Sequence, residues 1–161
     1  MSKANKLSAT IILDSLSGNT EEVGYIIQDT LKEQNISSTI YNIRREQNYQ
    51  LIADTVGDIL YLGSWTCDFG SLTPEMEDFL EFYLDECDIK AFSFGTGETQ
   101  WGEENFCGAV DKLDDFLKKN HWYVQEGIKI EQYPNSENDR TMIQDWAKKS
   151  IINYKETLNE V

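Results

Sequence analysis

Histidine occurs once in these 161 residues, at His121, and cysteine three times, at Cys67, Cys87 and Cys107, with no CxxC pair. Zinc sites and disulfide frameworks need clustered ligands or paired cysteines, so neither is indicated and the thiols are expected to be reduced. Long apolar runs are missing as well. The longest stretches, such as "IIL" from Ile11 and "ILYLG" from Ile59, fall far short of the ~20 residues that a membrane-spanning helix needs, and "MSKANKLSATIILD" lacks the long apolar centre of a signal peptide. The chain is therefore expected in the cytoplasm. Basic residues are scarce: 14 Lys and Arg stand against 29 Asp and Glu, for a formal net charge of −15. Nearly all of that excess lies between Asp54 and Asp115, where the basic residues are Lys90 and Lys112. Such a field repels nucleic-acid backbones and anionic membrane surfaces while attracting a basic protein face. Solvated helix faces also carry charge of this kind for solubility alone.

What is present is enough to fold. Hydrophobic residues make up 40%, with four Trp, eight Tyr and seven Phe, too many apolar anchors for a disordered acidic segment. The length is that of one domain, and residues 1–161 are read as a single one. Strand-like and helix-like segments alternate from end to end. "LSATIILD" is a β-branched run, and "NTEEVGYIIQDTLKEQ" then places Val23, Ile26, Ile27, Thr30 and Leu31 on one helical face. "SSTIYNI" follows as a strand, "EQNYQLIAD" as a short helix and "DILYLGSW" as a buried strand. "TPEMEDFLEFYLDE" opens a helix with Thr73 as N-cap and Pro74 at the first helical position. Strand "KAFSFGTG", helix "NFCGAVDKLDDFLKK", strand "WYVQEGIKIE" and helix "ENDRTMIQDWAKKSIINYKETL" complete the chain, without repeats or linkers. Five βα units predict an α/β fold, a doubly wound five-stranded parallel sheet with helices on both faces. Ligands of such sheets bind beyond the carboxyl ends of the strands, where strand order reverses. The loops after the first, third and fourth strands are therefore the candidates.

The first of these, "SLSGNT", has a glycine for a tight turn, a helix N-terminus behind it, and Ser15, Ser17, Asn19 and Thr20 as side-chain donors. It is a phosphate cradle built from neutral groups. Without a Lys it is not a P-loop, and a single terminal phosphate suits it better than a triphosphate. The same residues would also serve as an ordinary helix cap. The second loop, "GSWTCDFGSLTPEMEDF", and the third, "FGTGETQWGEENFCGAVD", each project aromatic residues, Trp65 or Phe69 in one and Trp101 in the other. Together with the cradle they point to a flat ring clamped between aromatics, although any one of them alone would equally fit a core position.

These three loops resemble those of flavodoxins, whose phosphate loop has the form [ST]-x-[ST]-G-x-T. "LGSWTCDFGSLTPEMEDF" is similar to the family's second flavin loop and "FGTGETQWGEENFCGAVDKL" to its third, "FCGAVD" being the distinctive element. The likeness covers nearly the whole chain, and the absence of an insertion in the fifth strand matches the short-chain kind. It implies strand order 2-1-3-4-5 and a non-covalently bound flavin mononucleotide (FMN). It further implies that Ser15, Ser17, Asn19 and Thr20, with the Leu16 and Gly18 backbone, hold the phosphate. Trp101 takes the outer stacking position, Glu98 lies beside the pyrimidine edge, and Ser64 and Thr66 flank the ribityl chain and ring. Asp68, Gly70, Gly95, Thr96, Gly97, Phe106 and Cys107 complete the implied cofactor-binding set. The second loop departs from the family pattern, with Trp65 in place of Pro, Cys67 in place of Trp, and Asp68-Phe69 in place of Gly-Asp. The inner stacking partner is left open between Trp65, Phe69 and a more exposed face beside Cys67.

The implied activity is low-potential one-electron transfer between a reductase and an acceptor enzyme with basic docking faces. No residue would be catalytic in the strict sense, no metal would be bound, and the chain would act as a monomer without nucleic acid or membrane. An alternative within redox chemistry is supply of oxidant or electrons for ribonucleotide reductase metal-site activation, since "QWGEENFC" also resembles a segment of that specialised group. A phosphoacceptor receiver domain shares the topology but needs clustered acids after the first strand to hold magnesium. Here Asp14 is followed by "SLS".

Overall fold

The computed structural model describes residues 6–67, 70–84, 89–99, 102–131 and 136–159. Its elements run β1 (Ser8–Asp14), α1 (Asn19–Glu33), β2 (Ser37–Asn42), α2 (Tyr49–Asp54), β3 (Ile59–Trp65), α3 (Pro74–Phe82), β4 (Lys90–Gly97), α4 (Gly108–Lys119), β5 (Ile128–Glu131) and α5 (Glu137–Leu158), with a 3₁₀ turn at Glu103–Asn105. The strands form one sheet in the order β2-β1-β3-β4-β5, all parallel. This is the expected order.

The period of two along β1 sorts side chains onto two faces. Ile11 and Leu13 pack with Val23, Ile26, Ile27 and Leu31 of α1 and with Ile143, Ala147 and Ile151 of α5. Ile12 points the other way, joining Leu60 and Leu62 of β3 against Ile52, Met76, Phe79, Leu113 and Leu117 from α2, α3 and α4. β1 and β3 are therefore apolar on both sides, as central parallel strands must be when helices cover both faces. Local chemistry sets the helix starts. The Thr73 hydroxyl accepts the Met76 N–H at 3.2 Å with Pro74 in the first turn, and the Ser136 hydroxyl accepts the Asp139 N–H at 3.0 Å to open α5.

The fifth strand is shorter than "WYVQEGIKIE" predicts. Tyr123 makes one isolated parallel bridge to Ala91, and the ladder with β4 resumes only at Ile128. Asp114 of α4 explains the interruption. Its carboxylate accepts the Ser93 hydroxyl of β4 and, at 3.0 Å, the Gly127 N–H, which turns that amide toward α4. A Cβ on Gly127 would sit 2.1 Å from the Ser93 hydroxyl, so the chain can pass this close only as glycine.

Asp114 is 7% exposed, and burial raises its pKa against the opposing pull of its two hydrogen bonds. A carboxyl whose folded pKa is raised contributes stability at low pH that is lost as pH rises through the folded value. Asp114→Asn keeps one acceptor for Gly127 and offers one donor to Ser93, without the charge. The variant is expected to be as stable as the parent or more so by about 1 kcal/mol at neutral pH, with the advantage narrowing as pH falls from neutral toward the ordinary carboxylate range. Urea melts across that range check it. A variant more than about 1 kcal/mol less stable at neutral pH would mean that the carboxylate charge itself holds the staple.

Candidate functional site

Because β1, β3 and β4 are neighbours, their carboxyl ends finish side by side: Asp14 pairs with Ser64, Ser64 with Gly95, and Trp65 with Thr96. The loops that follow leave the same sheet edge. In the first, the buried Ser15 hydroxyl accepts the N–H groups of Gly18 at 3.1 Å and Glu21 at 3.2 Å. That bond closes the turn at Gly18, whose φ of 96° belongs to glycine. Leu16 and Ser17 are exposed. A Cβ built on Gly18 would meet nothing within 4 Å, so the space above the turn is open. The N–H groups of Asn19 and Thr20 in the first turn of α1 have no carbonyl within the helix to bond.

A chain of hydroxyls ties the three loops together. Thr20 and Thr96, both buried, share a hydrogen bond of 2.8 Å across 76 residues of sequence. The Thr66 hydroxyl donates to the Thr96 carbonyl at 3.1 Å and accepts the Ala109 N–H of α4 at 3.4 Å. Thr20 and Thr66 thus clasp the site. Ser64 is fully buried and turns its hydroxyl to the Trp65 carbonyl.

In the second loop Cys67 and Ser71 bridge antiparallel, the Cys67 N–H reaching the Ser71 carbonyl at 2.9 Å. Asp68 and Phe69, between them, lie outside the described residues, as does Trp101 of the third loop. Gly70 backs directly onto Gly108 at the start of α4. Trp65 is half-buried at the end of β3. The Arg44 guanidinium lies 5.8 Å from its ring centroid.

In the third loop Gly95, Thr96 and Gly97 are buried backbone, while Glu98 and Phe106 are half-buried. Cys107 takes a left-handed conformation, φ 49°, just before α4. Its thiol turns inward to the carbonyls of Ile130 at 3.4 Å and Gly95 at 3.7 Å. Burial pushes the thiol up to about 12, so it stays protonated at neutral pH and is a structural group.

Asp14 and three residues absent from the sequence reading, Asn42, Arg44 and Arg45, also frame the site. Asp14, fully buried before the first loop, accepts Arg44 Nε at 2.6 Å, Arg44 Nη2 at 3.3 Å and the Thr73 hydroxyl. Arg44 Nη2 also reaches Glu75 at 3.0 Å. The hydrogen bond to Asp14 is the main cause of a raised Arg44 pKa. Arg45 makes a two-pronged pair with Glu21, at 2.8 and 2.6 Å. Asn42, at the end of β2, accepts the Ser15 N–H at 3.3 Å and donates to the Ser15 carbonyl at 3.1 Å. The visible signal for these contacts is an acid placed directly before the loop and the consecutive basic pair Arg44-Arg45 at the end of the second strand segment.

Two buried donors have no acceptor among the described residues: Asn19 Nδ2, at the first position of α1, and Trp65 Nε1. Buried donors are normally satisfied, so both fit a ligand that brings acceptors, one at the phosphate cradle and one beside the second loop. No group of three or more His, Cys, Asp or Glu that could hold a metal occurs among the described residues.

An open parallel sheet in this order, with three loops converging where strand order reverses, is the doubly wound framework on which nucleotides are bound. The flavodoxin family profile matches residues 11–146. Probable flavodoxin 1 of Bacillus subtilis is 33% identical over 134 residues, which span 81% of this chain and 82% of that protein. Oxidised flavodoxin 2 of Bacillus cereus superposes with a TM-score of 0.76 at 30% identity, over 93% of this chain and 99% of that one. A Fusobacterium nucleatum flavodoxin bound to flavin mononucleotide shares the fold, with a TM-score of 0.71 at 17% identity over 89% and 96% of the two chains. The chain belongs to the flavodoxin family, whose members bind FMN and transfer electrons.

Proposed function

We propose that this chain is a cytoplasmic, monomeric one-electron carrier that holds FMN non-covalently and shuttles electrons between a reductase and an acceptor enzyme. The observation that carries the reading is the buried Asn19 Nδ2 at the α1 N-terminus, which has no partner among the described residues and stands beside an open glycine turn. FMN, when bound, supplies the redox chemistry. The protein's part is to hold and orient it. Ser17, Asn19 and the first-turn N–H groups of α1 would take the phosphate, with the helix dipole favouring negative charge there. Ser15 shapes the turn, and Thr20, Thr66 and Thr96 fix the loops around it. Trp65 would lie against the ring region, as would Trp101 by family resemblance. Among the described residues no helix is long and apolar enough to cross a membrane.

The spectrum of the purified protein during stepwise reduction tests this. Flavin bands that bleach reversibly, with FMN released on acid precipitation, are the expected result. A colourless chain that takes up no FMN would overturn it.

Docking on a partner should be electrostatic. The Asp54–Asp115 stretch holds most of the net charge and two of the three site loops, so electron transfer to an enzyme with a basic face is expected to slow as salt rises. Screening reaches ~10 Å at ~0.1 M salt. Stopped-flow rates that stay constant up to ~0.5 M would count against charge-steered docking.

A further inference from the structure

The first loop contains no Lys or Arg, yet acids flank it on both sides: Asp14 directly before it and Glu21 in the first turn of α1. Both are buried, Asp14 at 0% exposed and Glu21 at 9%. Left alone, they would put two negative charges beside a cradle for a phosphate dianion, in a chain that already carries −15. At short range and reduced dielectric such repulsion is far larger than between solvated charges.

Two arginines after β2 offset most of it, the remaining acid, Glu75, being 42% exposed to solvent. Arg44 meets Asp14 through two nitrogens and Glu75 through one of them, and Arg45 meets Glu21 through two. Asn42 fixes where the pair stands, because the side chain that bonds the Ser15 backbone also accepts the Arg44 N–H at 3.1 Å. Asn42 therefore ties the loop backbone directly to the Arg44 backbone. With Arg44 held between Asp14 and Glu75 and Arg45 on Glu21, neither arginine needs to touch the ligand.

Resting on the cofactor reading above, we propose that Arg44 and Arg45 are the counter-charges of the phosphate site. They are positioning residues that act through Asp14 and Glu21, and they allow a loop without basic residues to accept a phosphate group. Their effect is on the charged part of the ligand, which separates them from residues that merely hold the fold.

The full chain, freed of bound flavin, is titrated with FMN and with riboflavin by fluorescence quenching at about pH 8, well above the ordinary carboxylate range, and at low salt. Arg44→Met is expected to lower the preference for FMN over riboflavin roughly tenfold or more, the scale of one uncompensated charge near a dianion. Arg45→Met, whose side chain is 67% exposed, should lower it by only about two- to fivefold, because solvent screens that pair. The double variants Asp14→Asn/Arg44→Met and Glu21→Gln/Arg45→Met should return the preference to within about twofold of the parent, since each removes a buried acid with its counter-charge, and the Glu75 left by the first is 42% exposed and screened by solvent. Single variants that weaken both ligands equally would make the arginines structural only and overturn the proposal. Double variants that stay as poor as the singles would also overturn it, by pointing to direct contact with phosphate. If Arg44→Met does not fold, the solvent-facing Arg45 pair decides the matter. A parent chain that binds FMN and riboflavin equally would instead remove the phosphate reading itself, before any variant is compared.

Discussion

Gly108→Ala is expected to lower the melting temperature by roughly 2–12 °C and to weaken flavin binding at the same time. A Cβ on Gly108 would lie 2.3 Å from the Gly70 carbonyl oxygen, 2.6 Å from its Cα and 2.7 Å from its carbonyl carbon. All three are backbone atoms, so no side chain can rotate aside. Gly70 is itself pinned, with φ 117° and its N–H on the Cys67 carbonyl at 3.1 Å. Moving it would pull on the Cys67–Ser71 bridge that shapes the second loop. Inserting one methyl into such a contact costs about 1–3 kcal/mol, and for a chain of this size each kcal/mol is worth ~2–4 °C. Alanine is the better helix former by nearly ~1 kcal/mol, so the local preference of α4 works against the predicted loss. Thermal melts with and without FMN measure both effects. An unchanged melting temperature would mean that the second loop yields freely, and the close packing would then have no part in shaping the site.

The same contact illustrates what could be read in the sequence. Thr73-Pro74 announces the start of α3 because capping is local, and both the hydroxyl and the N–H it accepts lie within four residues. The alternation of apolar segments announces the sheet and its crossovers for a similar reason. The loops of the site were likewise legible, as short motifs at strand ends. The clasp that holds them together was not. Thr20 meets Thr96 across 76 residues, Arg44 meets Asp14 across 30, and no periodicity encodes either pairing. Ser15 shows a further case, in which a loop with two possible purposes assigns one of them to a single residue. Its hydroxyl is occupied by the Gly18 and Glu21 N–H groups, so it works as a cap, while Ser17 and Asn19 are left for a ligand. Cap and cradle are alternatives for the whole loop in the sequence; in the structure Ser15 closes the turn, and the proposed cradle falls to the residues that remain. The early end of the pairing before β5 was hidden because its cause, the Asp114 staple, reaches from another helix.

FMN is expected to bind this chain ~100-fold or more tightly than riboflavin, which lacks only the phosphate. Hydrogen bonds to charged groups contribute about 1.5–3 kcal/mol each, and each ~1.4 kcal/mol is tenfold in affinity, so two such bonds suffice. Asn19 Nδ2, the Ser17 hydroxyl and the first-turn N–H groups of α1 offer more than two. Variants divide this total in a recognisable way. Ser17 is exposed, so Ser17→Ala should weaken FMN by about 1–3 kcal/mol, leave riboflavin unchanged and leave the melting temperature unchanged. Thr20 is buried against Thr96, so Thr20→Ala should cost about 1 kcal/mol of stability and weaken both ligands, because the clasp between the first and third loops is lost. Fluorescence titration of the two flavins against parent and variants gives all of these numbers in one series. If Ser17→Ala affects riboflavin as strongly as FMN, the exposed hydroxyl is shaping the loop and is no donor to the phosphate. Equal affinity of the parent for the two flavins would mean that the glycine turn and the α1 N-terminus are an ordinary helix start.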